Sequence, residues 1–381
     1  MRYYIIAGEA SRDLHGSNLI KAIRQKEGDA EFRAWGGDKM QSAGAEVVKH
    51  YRDLAFMGFL EVLLHLRTIL RNLSFCKKDI AAYRPDALIL IDYPGFNLRM
   101  AEWAHAKGYK VIYYISPQVW AWKESRVKTM KRVIDRLLVI LPFEKDYFQQ
   151  KWDWAVTYVG HPLVQEIDEA RAALSTISPD TLAAAHKPIV ALLPGSRKQE
   201  ISKKLPIMLG VSDRFPQLQF IVAKAPGIEE AFYQKLMAAH PGVGTVSHAA
   251  YYLLSRSCAA LVTSGTATLE TALFGIPQLV CYRGNPVSYA IARKILTIKF
   301  ISLVNLILDR AVVREMIQQD CTVDKISHEL GKLLTDESEQ QRIKRDYDEL
   351  RHLLSRGGHA SNNAAGEISV FLKGASQQPA Q

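Results

Sequence analysis

Cysteine is scarce in this sequence, and the four present, Cys76, Cys258, Cys281 and Cys321, are scattered. No CxxC pair and no zinc-like grouping with histidine occurs, which argues against a disulfide scaffold or zinc module and for reduced core thiols. Long apolar runs are missing too. The nearest candidate, LAFMGFLEVLLHLRTILRNL at 54–73, is interrupted by Glu61, His65, Arg67 and Arg71. A spanning helix needs roughly 18 uninterrupted apolar residues, so this segment reads as amphipathic. The apolar core of MRYYIIAGEAS is too short for the h-region of a signal peptide. No GxxxxGKS/T occurs, which excludes a Walker-type NTPase, and the first turn, AGEASRDLHG, lacks the GxGxxG of a nicotinamide or flavin site. Acidic residues are in deficit as well, 39 against 49 Lys and Arg, a formal charge of +10. That balance favours an anionic partner: nucleic acid, an acidic lipid surface or a phosphorylated substrate.

What is present is a globular composition, 48% hydrophobic and 23% charged, on 381 residues, a length that suits two domains. Short apolar runs alternate with helical stretches. YYIIAG (3–8), ALILID (87–92), KVIYYIS (110–116), RLLVIL (136–141) and AVTYVGHP (155–162) form a first series. After a polar, alanine-rich stretch broken by Pro179, a second series follows: PIVALLP (188–194), QFIVAKAP (219–226), GTVSH (244–248), AALVTSG (259–265) and PQLVCYR (277–283). Uninterrupted apolar strands between helices predict parallel sheets covered on both faces. The fold class is therefore α/β, with two doubly wound domains in tandem. The expected divisions are 1–165, a connection at 166–187, a second domain at 188–345, terminal helices at 346–372 and a frayed tail at 373–381.

In such sheets ligands gather beyond the carboxyl ends of the strands. Five candidates stand there: Gly8-Glu9-Ala10-Ser11, Asp92, Ser116-Pro117-Gln118, Gly195-Ser196-Arg197 and Ser264-Gly265-Thr266. In VALLPGSRKQEISKKLP (190–206) a glycine, a hydroxyl and a guanidinium stand where a strand becomes a helix, a natural phosphate site. TSGTATLETALFGIP (263–277) repeats the pattern, with Glu270 one turn into the helix where it can accept from sugar hydroxyls. Capping alone also explains a hydroxyl at Ser264 or Thr266. Together the two turns point to a nucleotide diphosphate held by the second domain. Asp92 leads the general-base candidates, with helix capping as the plainer role; Glu9, Asp13 and His15 are not ranked further by sequence. His161, before a proline at a domain edge, fits a structural hydrogen bond as well as a catalytic role. Between Lys107 and Arg136, eight Lys or Arg face two acidic residues, beside Trp120 and Trp122. Such interleaving suits single-stranded nucleic acid, anionic lipid or simply a solvated helix.

GEASRDLHG, WGGDKMQSAGAE, LAFMGFLEVL, IDYPGFNLR, YYISPQVWAWKESRVK, DRLLVILPFE, VGHPL, LLPGSRKQEI, SGTATLETAL and VNLI occur in this order. The series resembles the lipid-A-disaccharide synthases, glycosyltransferase family 19, over nearly the whole chain. The resemblance implies the GT-B architecture, two Rossmann-like domains facing each other across a cleft. It implies an inverting, metal-free transfer without cofactor, from UDP-2,3-diacylglucosamine to 2,3-diacylglucosamine 1-phosphate, yielding a β-1′,6 disaccharide and UDP. On that basis Asp92 is the base and Gly195, Ser196 and Arg197 hold the diphosphate. Ser264, Gly265, Thr266, Glu270 and Asn305 complete the UDP-sugar site, and Glu9, Ser11 and Asp13 form an acceptor loop. Phe56, Met57, Phe59, Trp120 and Trp122 become membrane-facing residues, which makes the partner an anionic lipid surface rather than nucleic acid. The location implied is cytoplasmic, at the inner face of the inner membrane. Arg12 departs from the glycine usual after the first-loop serine, Gly95 from an acidic residue and Val304 from a proline. The residues alone leave a UDP-N-acetylglucosamine 2-epimerase or a peptidoglycan-type transferase as the alternative. They also leave a homodimer open.

Overall fold

A computed structural model of the chain describes residues 1–54, 66–174, 187–285, 289, 299–355 and 358–376. Among them the chain forms two compact units, one of Met1–Pro162 with the segment from Leu354 onward, the other of Leu163–Leu353. The first unit holds strands β1 (Arg2–Ala7), β2 (Glu31–Gly36), β3 (Glu46–His50), β4 (Ala87–Ile91), β5 (Lys110–Tyr114), β6 (Arg136–Val139) and β7 (Thr157–Tyr158). They pair in parallel in the order β3-β2-β1-β4-β5-β6-β7. Successive residues of a strand feed opposite faces. Tyr3, Ile5 and Ala7 of β1 accordingly enter one core cluster and Tyr4 and Ile6 the other. Two buried faces leave no polar position, which is why the central strands read as unbroken apolar runs.

The second unit repeats the plan with β8 (Ile189–Leu193), β9 (Gln219–Lys224), β10 (Gly244–Ser247), β11 (Ser257–Thr263), β12 (Gln278–Tyr282) and β13 (Arg314–Ile317). Its parallel order is β10-β9-β8-β11-β12-β13. In both sheets the chain starts at an inner strand, winds outward one way and then returns to the other side. The strand order thus reverses between β1 and β4 and between β8 and β11, and these switch points are where doubly wound sheets bind ligands.

Three strands escape the sequence reading. EFRAWG, EVVKH and REMI become β2, β3 and β13; β3 and β13 are edge strands, and β2, next to an edge, breaks its apolar run with the half-buried Arg33. β7 is shorter than expected, two residues, because Gly160 turns with φ +90° just beyond it.

The carboxyl-terminal helix Ala360–Ser376 returns to the first unit and lies along Ala10–Lys26. Ala364 and Ala365 allow a close approach, and Ile368 and Leu372 join Leu19, Ile20 and Ile23 in one buried cluster. The contact is completed by Ser369, whose hydroxyl donates to Glu27 Oε1 at 3.0 Å while Tyr3 donates to Oε2 at 2.8 Å. Ile368→Ala should therefore destabilise the first unit by about 2–4 kcal/mol, the usual cost of truncating a buried isoleucine. Denaturant unfolding checks this, and an unchanged midpoint would remove the helix from that core.

Candidate active site

At the switch point of the first sheet, β4 ends at Ile91 and the next two residues, Asp92 and Tyr93, both take left-handed backbone, φ +46° and +51°. Such backbone costs on the order of 1–3 kcal/mol per non-glycine residue and needs support. The support is built in. The Asp92 carbonyl accepts from Asn97 Nδ2 at 2.7 Å and from the Tyr113 hydroxyl at 2.6 Å, and its N–H donates to Tyr114 O at 3.2 Å. Pro94 then starts the helix Pro94–Ala106 from a φ already suited to it. The double turn throws the Asp92 carboxylate off the strand end. The Tyr93 ring folds over Gly8, where even a Cβ would sit 2.6 Å from it. No larger residue fits there.

Glu9, Ser11 and Arg12 sit at the start of the helix Ala10–Lys26, with Glu9 and Ser11 exposed. Arg12 lies inside the first helical turn rather than at the positive φ a glycine would need, so its bulk is carried without backbone strain. Its guanidinium makes an ion pair with Asp92, Nε donating to Oδ2 at 2.9 Å and Nη2 to the same oxygen. Asp13 does not face the site: its buried carboxylate accepts from Gly37 N at 2.7 Å and from Lys39 N and Met40 N at 3.1 Å each. Those bonds make it the cap of the short helix Asp38–Ser42, a structural role that replaces the expected place in an acceptor loop. The side chain of Gly95 would enter open space, so its departure from an acidic residue is not forced by packing.

The two tryptophans separate. Trp120 turns its indole N–H to Glu144 Oε1 at 3.2 Å and packs edge-on against Phe143, which argues against a membrane-facing role for it. Trp122 is 52% exposed, with Lys123 Nζ 4.4 Å from the ring centroid. Phe56, Met57 and Phe59 lie outside the described residues. Glu144 itself is buried and accepts from Leu141 N at 3.0 Å and Ile140 N at 3.2 Å. Burial pushes its carboxyl up to about 7 against those bonds, and the charge of Asp92 adds to the rise.

In the second unit the corresponding turns follow β8 and β11. Gly195 has φ +118°, and a Cβ there would meet Glu200 Oε2 at 2.7 Å, so only glycine serves. Ser196 and Arg197 are exposed, and Arg197 is the N-cap of the helix Lys198–Ser212 without using its side chain as cap. The guanidinium and the outward N–H groups of the first turn thus share one anion-attracting corner. Gly265 and Thr266 are exposed at the start of Thr266–Leu273, whereas the Ser264 hydroxyl donates to Ile301 O at 2.7 Å. Burial, with the nearby Glu166 carboxylate, pushes Glu270 up to about 7, and Glu166 in turn accepts from the Tyr251 hydroxyl at 3.0 Å.

Asn305 is corrected by the structure. It is 1% exposed, and its amide is saturated: Nδ2 donates to Val313 O and Glu315 Oε1, while Oδ1 accepts from Val312 N and Val313 N, all at 2.9 Å. An amide offers two donors and two acceptor sites, so nothing remains for a ligand. Its reach toward the site is indirect. Glu315 also accepts from Ile301 N and Ser302 N, and Ile301 O is the acceptor for Ser264. Sequence reasoning missed Asn97, Tyr113, Glu144 and Glu315 as organisers of the site. None of them had a local signal: Glu144 accepts from Leu141 N three residues before it, but a leucine lacks the hydroxyl that would mark a capping box in sequence.

Two tandem doubly wound parallel sheets are the GT-B architecture, and solved structures share this fold. A UDP-GlcNAc 2-epimerase from Neisseria meningitidis superposes with a TM-score of 0.67 at 11% identity, over 98% of this chain and 100% of that one. The calicheamicin glycosyltransferase CalG4 does so at 0.61 and 16%, over 98% and 99%. At the level of sequence, the family model for lipid-A-disaccharide synthetase matches residues 3–369. Lipid-A-disaccharide synthases of Geobacter sulfurreducens and Coxiella burnetii (strain RSA 331) are each 36% identical, over 97% of both chains and over 94% and 96% respectively. The chain belongs to the lipid-A-disaccharide synthetase family.

Two histidines flank the first site. Burial pushes His15 down to about 3, with Arg12, His161 and Lys39 adding to the fall, and burial alone pushes His161 down to about 4. Both lie below the ordinary 6.5, so the unfolded chain takes up these protons first. The stability they contribute is whole above pH 6.5 and is lost as pH falls through about 4 and then 3. His161→Gln should flatten the fall of melting temperature between pH 6.5 and 4; a fall as steep as that of the native chain would contradict it.

Proposed function

We propose that this chain joins UDP-2,3-diacylglucosamine to 2,3-diacylglucosamine 1-phosphate, with the acceptor on the first unit and the UDP-sugar on the second. Asp92 takes the proton of the acceptor's 6-hydroxyl as that oxygen attacks the anomeric carbon. The bond from that carbon to the diphosphate breaks with its electron pair going to UDP, and the configuration inverts. Arg197, Gly195, Ser196 and the first-turn N–H groups of Lys198–Ser212 meet the charge that develops on the diphosphate. Gly265 and Thr266 offer a second N-terminal turn, and Glu270 stands one turn further on, where a carboxyl near half-protonation suits the hydroxyls of a sugar. The observation that carries the reading is the placement of Asp92 and Arg197 at equivalent switch points in a chain of this family.

The acyl chains of both substrates reside in a membrane, and Trp122 with Lys123 and Arg126 beside its ring supports contact with an anionic lipid surface. Among the described residues no helix is long and apolar enough to cross a membrane. The reading has the enzyme work peripherally, on the cytoplasmic face of the inner membrane, with the exposed Trp122 as its support.

The test is UDP release from the diacylated UDP-sugar with and without the lipid acceptor, followed by mass analysis of the product. Acceptor-dependent release with a disaccharide is expected. Epimerisation of UDP-N-acetylglucosamine in place of transfer would favour the alternative that the shared fold allows. Asp92→Asn should bind UDP as the native chain does and lose turnover by at least ~10²-fold, the lower range for a positioned base; full turnover would remove Asp92 from that role. Arg197→Ala should weaken UDP binding and cost about 2–4 kcal/mol of transition-state stabilisation, as loss of an oxyanion donor does. Calorimetry with UDP reads the first effect, and an unchanged affinity would place the diphosphate elsewhere.

A further inference from the structure

We propose that Arg12 is a positioning residue for Asp92, holding one carboxylate oxygen and thereby assigning the other, Oδ1, to the acceptor's hydroxyl. The inference rests on the transferase reading above and adds to it a residue that the reading does not need.

The geometry is an end-on grip. Arg12 Nε donates to Asp92 Oδ2 at 2.9 Å, Nη2 donates to the same oxygen, and Nη1 donates to Ser11 Oγ at 2.5 Å. A guanidinium commonly meets a carboxylate fork to fork, with one N–H on each oxygen. Here both N–H groups converge on Oδ2, and among the described residues no protein group donates to Oδ1. Both side chains remain partly open to solvent, 27% for Arg12 and 21% for Asp92, so a substrate hydroxyl has access to the free oxygen.

The grip completes a set of constraints. Asn97 and Tyr113 fix the backbone of Asp92 through its carbonyl, but they leave the two side-chain torsions free. Arg12 removes that freedom from the far end. It is itself anchored, on Ser11 at its tip and in the first turn of Ala10–Lys26 at its root. The pair also has no net charge, so an acceptor carrying a phosphate approaches its base without meeting an uncompensated carboxylate.

The experiment measures acceptor-dependent disaccharide synthesis by the native chain, Arg12→Ala and Arg12→Lys, with the KM of the lipid acceptor, UDP affinity and melting temperature read on each. For Arg12→Ala the expected result is a fall in kcat on the order of 10²-fold, the scale of a misplaced reacting group. The acceptor KM, UDP affinity and melting temperature should stay unchanged. Millimolar guanidinium chloride should restore part of the lost kcat, where sodium chloride at the same concentration does not, and Arg12→Lys should retain an intermediate rate. A rise in kcat would mean that Arg12 masks the base, and a loss confined to the acceptor KM would mean that it holds the acceptor's phosphate. Unchanged kinetics, or a loss that neither guanidinium nor lysine repairs, would make it a bystander or a structural residue. Each of these overturns the proposal while leaving the transferase reading standing. A native chain that forms no disaccharide overturns both.

Discussion

A parallel strand buried on both faces releases its chain only at its carboxyl edge, and the chemistry of this protein hangs on how that release is managed. At the first switch point the chain leaves β4 through two left-handed residues that are not glycine, held down by Asn97 and Tyr113. At the second it leaves β8 through Gly195, which takes its φ of +118° without penalty. The difference follows from what each turn must present. A phosphate is met by backbone N–H groups and needs a bare chain. A carboxylate thrown clear of the strand end, as that of Asp92 is, comes with backbone strain, and here buried hydrogen bonds tie it off.

The electrostatics around these turns divide in the same way. Exposed cations, Arg197 above all, stay available to an incoming anion, whereas the titratable groups beneath the sites are driven toward their neutral forms by burial. His15 and His161 are neutral imidazoles at neutral pH, so they add no charge to Arg12, and Glu144 and Glu270 stand near half-protonation. Each site thus has a small number of full charges at its surface over a floor of dipoles.

Much of this was legible in the sequence, and what was not has a common cause. The central strands were visible because burial on two faces demands an apolar residue at every position; the edge strands β3 and β13, and β2 beside an edge, were not, because Lys49, Arg314 and Arg33 dilute that signal. Asp92 and the Gly195-Ser196-Arg197 turn do follow strand ends as read, because position relative to a strand end is a local property. Asp13 and Asn305 were assigned to ligands by the family resemblance, and motif position alone does not tell a polar residue that faces a substrate from one that caps a neighbouring loop. What decides is partners distant in sequence, Gly37 and Met40 for one, Val313 and Glu315 for the other. The ion pair of Arg12 with Asp92 spans 80 residues and has no local signature at all.

The return of Ala360–Ser376 to the helix Ala10–Lys26 has a consequence for the newborn chain. The ribosome delivers residues in order, and domains ordinarily fold as they emerge, the amino-terminal one first. Here the earliest strands wait for the last helix, because Ile368 and Leu372 belong to the same core as Ile5 and Ile20. Leu163–Leu353 is a continuous stretch and emerges entire before that helix does. During synthesis, then, the amino-terminal half keeps an uncovered apolar flank through the translation of everything between, and the part begun first is the part finished last.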